Sequence, residues 1–107
     1  MKNCRLVIGK DESEVAMSFC EYFAEVVNSR IERIGFSAVA ISGGKTPDEI
    51  FRKLSEEYRS QVNWPGVLVF WVDERCVPPD DSESNYGRAR SLLLDNVEIP
   101  PVNIFRI

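Results

Sequence analysis

The chain has 107 residues, enough for one hydrophobic core and too few for two domains of ordinary size, so a single domain over 1–107 is expected. Its composition, 44% hydrophobic and 28% charged, is that of a globular protein, and no apolar run approaches the ~20 residues that cross a bilayer. A formal charge of -4, with acids and bases mixed along the chain, leaves no basic stripe for a nucleic-acid backbone, so neither nucleic acid nor membrane is an expected partner.

The elements follow in chain order. Arg5 to Ile8 reads as a short strand, and its apolar run, Leu6 to Gly9, is too short for a secretory signal, which makes the cytoplasm the expected location. Asp11 or Ser13 then caps a helix whose apolar face comprises Val15, Ala16, Phe19, Cys20, Phe23, Val26, Val27, Ile31 and Ile34. Gly35 stands where a helix ends, and Phe36 to Ile41, apolar and small, suits a strand buried on both faces. After a Gly-Gly turn, Pro47 to about Arg59 predicts a second helix with Ile50, Phe51, Leu54 and Tyr58 on its inner face. Trp64-Pro65-Gly66 breaks the pattern, and Val67 to Val72 reads as a central strand. The prolines and acids between Asp73 and Glu83 predict a loop. Ser84 or Asn85 caps a third helix through Ala89, Leu92, Leu93 and Leu94, and Val102 to Ile107 reads as a final strand. The order βαβαβαβ predicts a mostly parallel sheet with helices on both faces.

Two polar segments sit where strands run out, which in an open α/β sheet is where the ligand crevice lies. The first is Ser42-Gly43-Gly44-Lys45-Thr46-Pro47. Glycines let backbone N–H groups approach a ligand, and the helix that follows adds unpaired donors and a partial positive charge. Phosphate is the natural guest, with Ser42 and Thr46 hydroxyls and the Lys45 charge assisting. The alternative is a tight turn with Thr46 only capping a helix; the spacing matches neither the Walker nor the dinucleotide pattern. The second segment is Asp73-Glu74-Arg75-Cys76-Val77-Pro78. There a carboxylate can act as a base or orient one, and an arginine can neutralise developing charge. Its alternative is a solvated charge cluster. In the loop that follows, Ser84, Asn85 and Tyr86 either reach a sugar or end a surface connection. The three cysteines, Cys4, Cys20 and Cys76, lack the spacing of a disulfide framework or zinc site and are expected as reduced thiols. Without any histidine in the chain a Cys-His nucleophile is excluded here, so Cys76 is read as packing, and the tryptophans and phenylalanines as core.

The two segments, in this order and about thirty residues apart, resemble the 6-phosphogluconolactonase family, part of the glucosamine-6-phosphate isomerase/6-phosphogluconolactonase superfamily. Ile41 to Pro47 is similar to the family's phosphate loop and Phe70 to Pro78 to its central strand and loop; Ser84-Asn85-Tyr86-Gly87, Leu92-Leu93 and Ile104 to Ile107 continue the match. The resemblance implies an α/β Rossmann-like fold of the phosphosugar isomerase/CoA-transferase kind. It also implies a hydrolase of the pentose phosphate pathway that converts 6-phosphoglucono-δ-lactone to 6-phosphogluconate without metal or cofactor. In that frame Ser42, Gly43, Gly44, Lys45 and Thr46 hold the phosphate, Lys45 standing where serine is usual. Asp73 and Arg75 serve catalysis, and Ser84 and Asn85 join the substrate contacts. Family members are longer, and their Gly-x-Gly-x-Asp-Gly-His segment, bearing the histidine that activates water, has no counterpart here. The chain therefore reads as an N-terminal half, expected to be inactive alone and to self-associate through an uncovered sheet edge and helix-docking face. Competing readings are a phosphosugar isomerase or deaminase of the same fold and a non-catalytic phosphosugar-binding module.

Overall fold

The computed structural model describes residues 4–107. Its first helix, α1 (Glu12–Ile34), starts where Asp11 accepts a hydrogen bond from the Glu14 N–H at 2.8 Å, with Glu12 and Glu14 favourably placed in the first turn. It ends at Gly35, whose left-handed backbone (φ 93°) lets its N–H reach the Ile31 carbonyl. Then come β1 (Ser37–Ile41), α2 (Lys45–Glu56), β2 (Val67–Trp71), α3 (Asn85–Leu92) and β3 (Ile104–Phe105). The strands form one parallel sheet in the order β1-β2-β3, with Val39 beside Val69 and Phe70 beside Phe105.

Period-two alternation decides which side of the sheet is inside. Val67, Val69 and Trp71 of β2 are buried and join Cys20, Ala24 and Val27 of α1, Phe51 and Leu54 of α2, and Ala89, Leu93 and Leu94 in one core. At roughly 1.5–3 kcal/mol for each large apolar side chain buried, this cluster supplies most of the stabilisation. Trp64 closes its floor, and its indole N–H donates to the Arg59 carbonyl at 3.0 Å. Asn28 ties α1 to the same turn: its amide donates to the Gln61 carbonyl at 2.7 Å and its oxygen accepts from the Asn63 N–H at 2.9 Å.

Four expectations need correction. Arg5 to Ile8 is not a strand: no partner pairs with it among the described residues, Leu6, Val7 and Ile8 lie exposed, and Arg5 instead stacks over the Tyr22 ring of α1. Strand propensity is expressed only against a neighbour. The last strand shrinks from Val102–Ile107 to Ile104–Phe105, because Pro101 to Asn103 form a helical turn. The second helix starts at Lys45 and stops at Glu56, displaced towards the N-terminus from its expected span. Finally, the helices of the described residues cover one sheet face; on the other, Ala38, Ala40 and Phe70 are exposed and Phe70 stacks on Phe105 at 4.7 Å. Phe19 of α1, Phe36, Phe70 and Phe105 are exposed rather than core. The α/β class and the parallel sheet are as read from the sequence.

Candidate active site

The carboxyl ends of β1 and β2 lie side by side, since the Val72 N–H continues the ladder to the Ile41 carbonyl at 2.9 Å. That single bond puts Ser42 and Asp73 at adjacent exits from the sheet. The glycine-rich loop then turns through Gly43 and Gly44 into α2. Gly44 is the N-cap, at φ 128°, a backbone region open to glycine and strained for other residues. It offers no side chain to the helix, so among the described residues the first N–H groups of α2, from Lys45 and Thr46, have no capping acceptor. Ser42, Lys45 and Thr46 are exposed around them. Thr46 is therefore not the N-cap, and its hydroxyl stands at the open mouth.

Gly43 is fixed by a different constraint. A Cβ there would collide with the carboxamide of Asn85, which lies directly against the loop. Asn85 is 5% exposed, and its Nδ2 donates to the Asp73 carbonyl at 3.3 Å and to Asp73 Oδ1 at 3.1 Å. One buried side chain thus touches both strand-end loops. Asp73 Oδ2 accepts no hydrogen bond among the described residues and faces outward on an exposed side chain.

Glu74 turns the other way. Its Oε1 accepts from the N–H groups of Arg75 (2.8 Å) and Asn85 (2.7 Å), and its Oε2 from the Tyr86 N–H (2.9 Å) and the Ser84 hydroxyl (3.0 Å). Burial alone would raise this carboxyl; the Tyr86, Arg75 and Asn85 N–H groups and the Ser84 hydroxyl outweigh it and bring the pKa down to about 2. Ser84, 1% exposed, also caps α3 by accepting from the Gly87 N–H at 3.0 Å. Arg75 is exposed, with a 3.7 Å ion pair to Glu83 that holds it only weakly. It borders a cleft of about 470 Å³ shared with Cys76, Pro78, Ser84 and Arg106. Cys76 is exposed at this cleft, which corrects its reading as a packing residue.

The structure therefore gathers Ser42, Gly43, Gly44, Lys45, Thr46, Asp73 and Arg75 around one sheet edge. Ser84 and Asn85 are tied inward: the Ser84 hydroxyl donates to Glu74 and caps α3, and the Asn85 amide donates to Asp73. Sequence reasoning also missed the pairing of Asp48, 6% exposed in the first turn of α2, with Arg88 of α3, which grips both carboxylate oxygens. Helical spacing would have shown Asp48 turned inward beside Phe51; only the fold supplies its partner. Among the described residues no three His, Cys, Asp or Glu side chains converge as a metal site.

The chain has the architecture of an open parallel α/β sheet, with a glycine loop and a charged loop on neighbouring strand ends; in sheets of this class the ligand crevice lies at the carboxyl edge. Residues 10–107 match the family described as glucosamine-6-phosphate isomerases/6-phosphogluconolactonase, and the chain belongs to that family. It is 40% identical over 94 residues to the 6-phosphogluconolactonase of Treponema pallidum, a match covering 88% of this chain and 39% of that protein. The solved 6-phosphogluconolactonase of Trypanosoma cruzi superimposes with a TM-score of 0.83 at 27% identity, over 98% of this chain and 39% of that one. A monomeric glucosamine-6-phosphate deaminase, 13% identical with a TM-score of 0.81 over 96% of this chain and 42% of its own, shares the fold. The chain spans well under half the length of these relatives.

Proposed function

We propose that this chain supplies the phosphate loop and the charged strand-end loop of a 6-phosphogluconolactonase. The observation that carries the reading is the joining of the two loops: Val72 bonded to Ile41 and Asn85 seated against both Gly43 and Asp73. In this arrangement the phosphate of 6-phosphoglucono-δ-lactone takes the N–H groups at the start of α2, with Ser42, Thr46 and Lys45 around it. The sugar then extends across the sheet edge and brings the lactone carbonyl to Asp73 and Arg75. Attack by water turns that carbonyl into an oxyanion, and the Arg75 guanidinium stabilises the charge. Asp73, held at one oxygen by Asn85, keeps Oδ2 for the water or for the group that activates it. The 107 residues include no histidine, so the chain alone lacks the activating base that the family resemblance implies.

The test is a titration of the isotopically labelled 107-residue chain, read residue by residue by NMR. Inorganic phosphate is expected to move the amides of Gly43 to Thr46, and 6-phosphogluconate to move these together with Asp73 and Arg75. No response at Gly43 to Thr46 overturns the reading. In the same samples the spontaneous rate of lactone hydrolysis is expected to be unchanged, and an acceleration would refute the account of the missing base.

A further inference from the structure

We infer that Glu74 is the positioning residue of this site: it clamps the start of α3 to the end of β2 and so holds the Asn85 carboxamide on Asp73. The inference rests on the proposed reading only for what Asp73 does; the clamp stands on geometry alone.

Four donors converge on one carboxylate, two on each oxygen, and three of them come from consecutive residues, Ser84, Asn85 and Tyr86. A carboxylate has about four acceptor positions, so Glu74 is saturated and has none left to take a proton from a ligand. Saturation separates its work from that of its neighbour in the chain. Asp73 accepts through Oδ1 alone, from the side chain of the same Asn85 whose backbone N–H is held by Glu74. The two bonds make a double link, main chain to Glu74 and side chain to Asp73, that fixes both the place of Asn85 and the direction of its carboxamide. Because that carboxamide also lies against Gly43, releasing Glu74 would loosen the charged loop and the contact between the loops, while leaving the open start of α2 intact. The α3 N-terminus attracts an anion like any other, and here the chain supplies that anion itself.

The experiment uses the 107-residue chain and its Glu74→Gln and Glu74→Asp variants. The amide of Glu74→Gln keeps the shape but replaces one acceptor oxygen with a donor. Three readouts are taken by NMR: exchange of the Asn85 and Tyr86 backbone amides, the Asn85 side-chain amide signals, and binding of inorganic phosphate at Gly43 to Thr46. In Glu74→Gln, exchange at Asn85 and Tyr86 is expected to speed up by roughly tenfold or more, on the scale of a lost hydrogen bond to a charged group. The Asn85 side-chain signals should move to those of a free carboxamide. Phosphate affinity should stay within about twofold, since the anion site is built from other donors. Glu74→Asp, which retains the charge on a shorter arm, should recover part of the Asn85 signature.

Unchanged Asn85 signals in Glu74→Gln overturn the inference. So does general loosening, seen as exchange at Val69 in the central strand speeding up as much as exchange at Asn85 in either variant, because Glu74 would then be a residue of the fold and not of the site. If Glu74→Gln does not fold, Glu74→Asp decides alone: Asn85 signals shifted part of the way towards a free carboxamide, with Val69 exchange less affected than that of Asn85, support the role, and unchanged Asn85 signals or equal loosening at Val69 refute it. Absence of phosphate binding in the parent chain refutes the functional reading instead, and leaves the Asn85 signature to judge the clamp.

Discussion

The helices α2 and α3 both begin at the carboxyl edge of the sheet, yet their N-termini are treated in opposite ways. The start of α3 is filled from within, by the Ser84 hydroxyl and the Glu74 carboxylate. The start of α2 is left open by a glycine cap with no side chain, and exposed hydroxyls and a lysine stand around it. A helix N-terminus favours an anion, so the difference separates a terminus that carries its own anion from one whose first N–H groups are left open. Asn85 spans the two, and Asp48 in the first turn of α2 pairs with Arg88 of α3.

The broadest effect, on stability and on phosphate binding together, should come from Gly43→Ala, which strikes the junction between the termini. The added methyl has no room beside the Asn85 carboxamide, and overpacking of this kind costs about 1–3 kcal/mol, so a clear fall in the denaturation midpoint is expected, together with loss of the phosphate response. An alanine tolerated with normal phosphate binding would show that the two termini are independent.

Next comes the Asp48–Arg88 link, where the two partners should not be equivalent. Arg88→Ala leaves a buried carboxylate without a partner, while Asp48→Asn leaves a guanidinium whose side chain is 42% exposed and can turn to water. We expect Arg88→Ala to cost about 2–3 kcal/mol and Asp48→Asn about 1, measured by urea denaturation. Equal costs would mean that the pair behaves as a surface contact.

The smallest effect in neutral solution is the acid response of the α3 terminus. The Glu74 pKa in the folded chain, about 2, lies below its ordinary 4.5, so its stabilisation is fully present above about pH 4.5 and is lost as pH falls towards 2. The melting temperature of the parent chain should drop across that window, and Glu74→Gln should flatten part of the drop. Identical acid profiles would remove Glu74 as the anion of that terminus.

Much of this organisation is legible in the residues, for physical reasons. Gly35 and Ser84 mark helix ends because their signals are local: a left-handed turn and a hydroxyl within reach of its own N–H groups. The continuous apolar run of β2 announces a central strand, and the glycine loop announces the open terminus. What could not be read depends on distant partners. The segment Arg5–Ile8 has strand-forming residues but no pairing neighbour among the described residues. Whether Ser84 and Asn85 face a ligand or the interior is decided by Glu74, ten and eleven residues earlier in the chain, whose place in the fold no local pattern encodes. The Asp48–Arg88 pair, forty residues apart, is invisible for the same reason.

The order of strands in the sheet carries one more consequence. Because β1, β2 and β3 lie in space as they lie in the chain, each new strand meets the edge of its predecessor as its template, and none has to wedge between two already paired. Both connecting helices settle on the face where α1 already lies, so every addition enlarges one existing core. A polypeptide arranged this way can assemble as it emerges from the ribosome, first residue to last, without undoing an earlier contact.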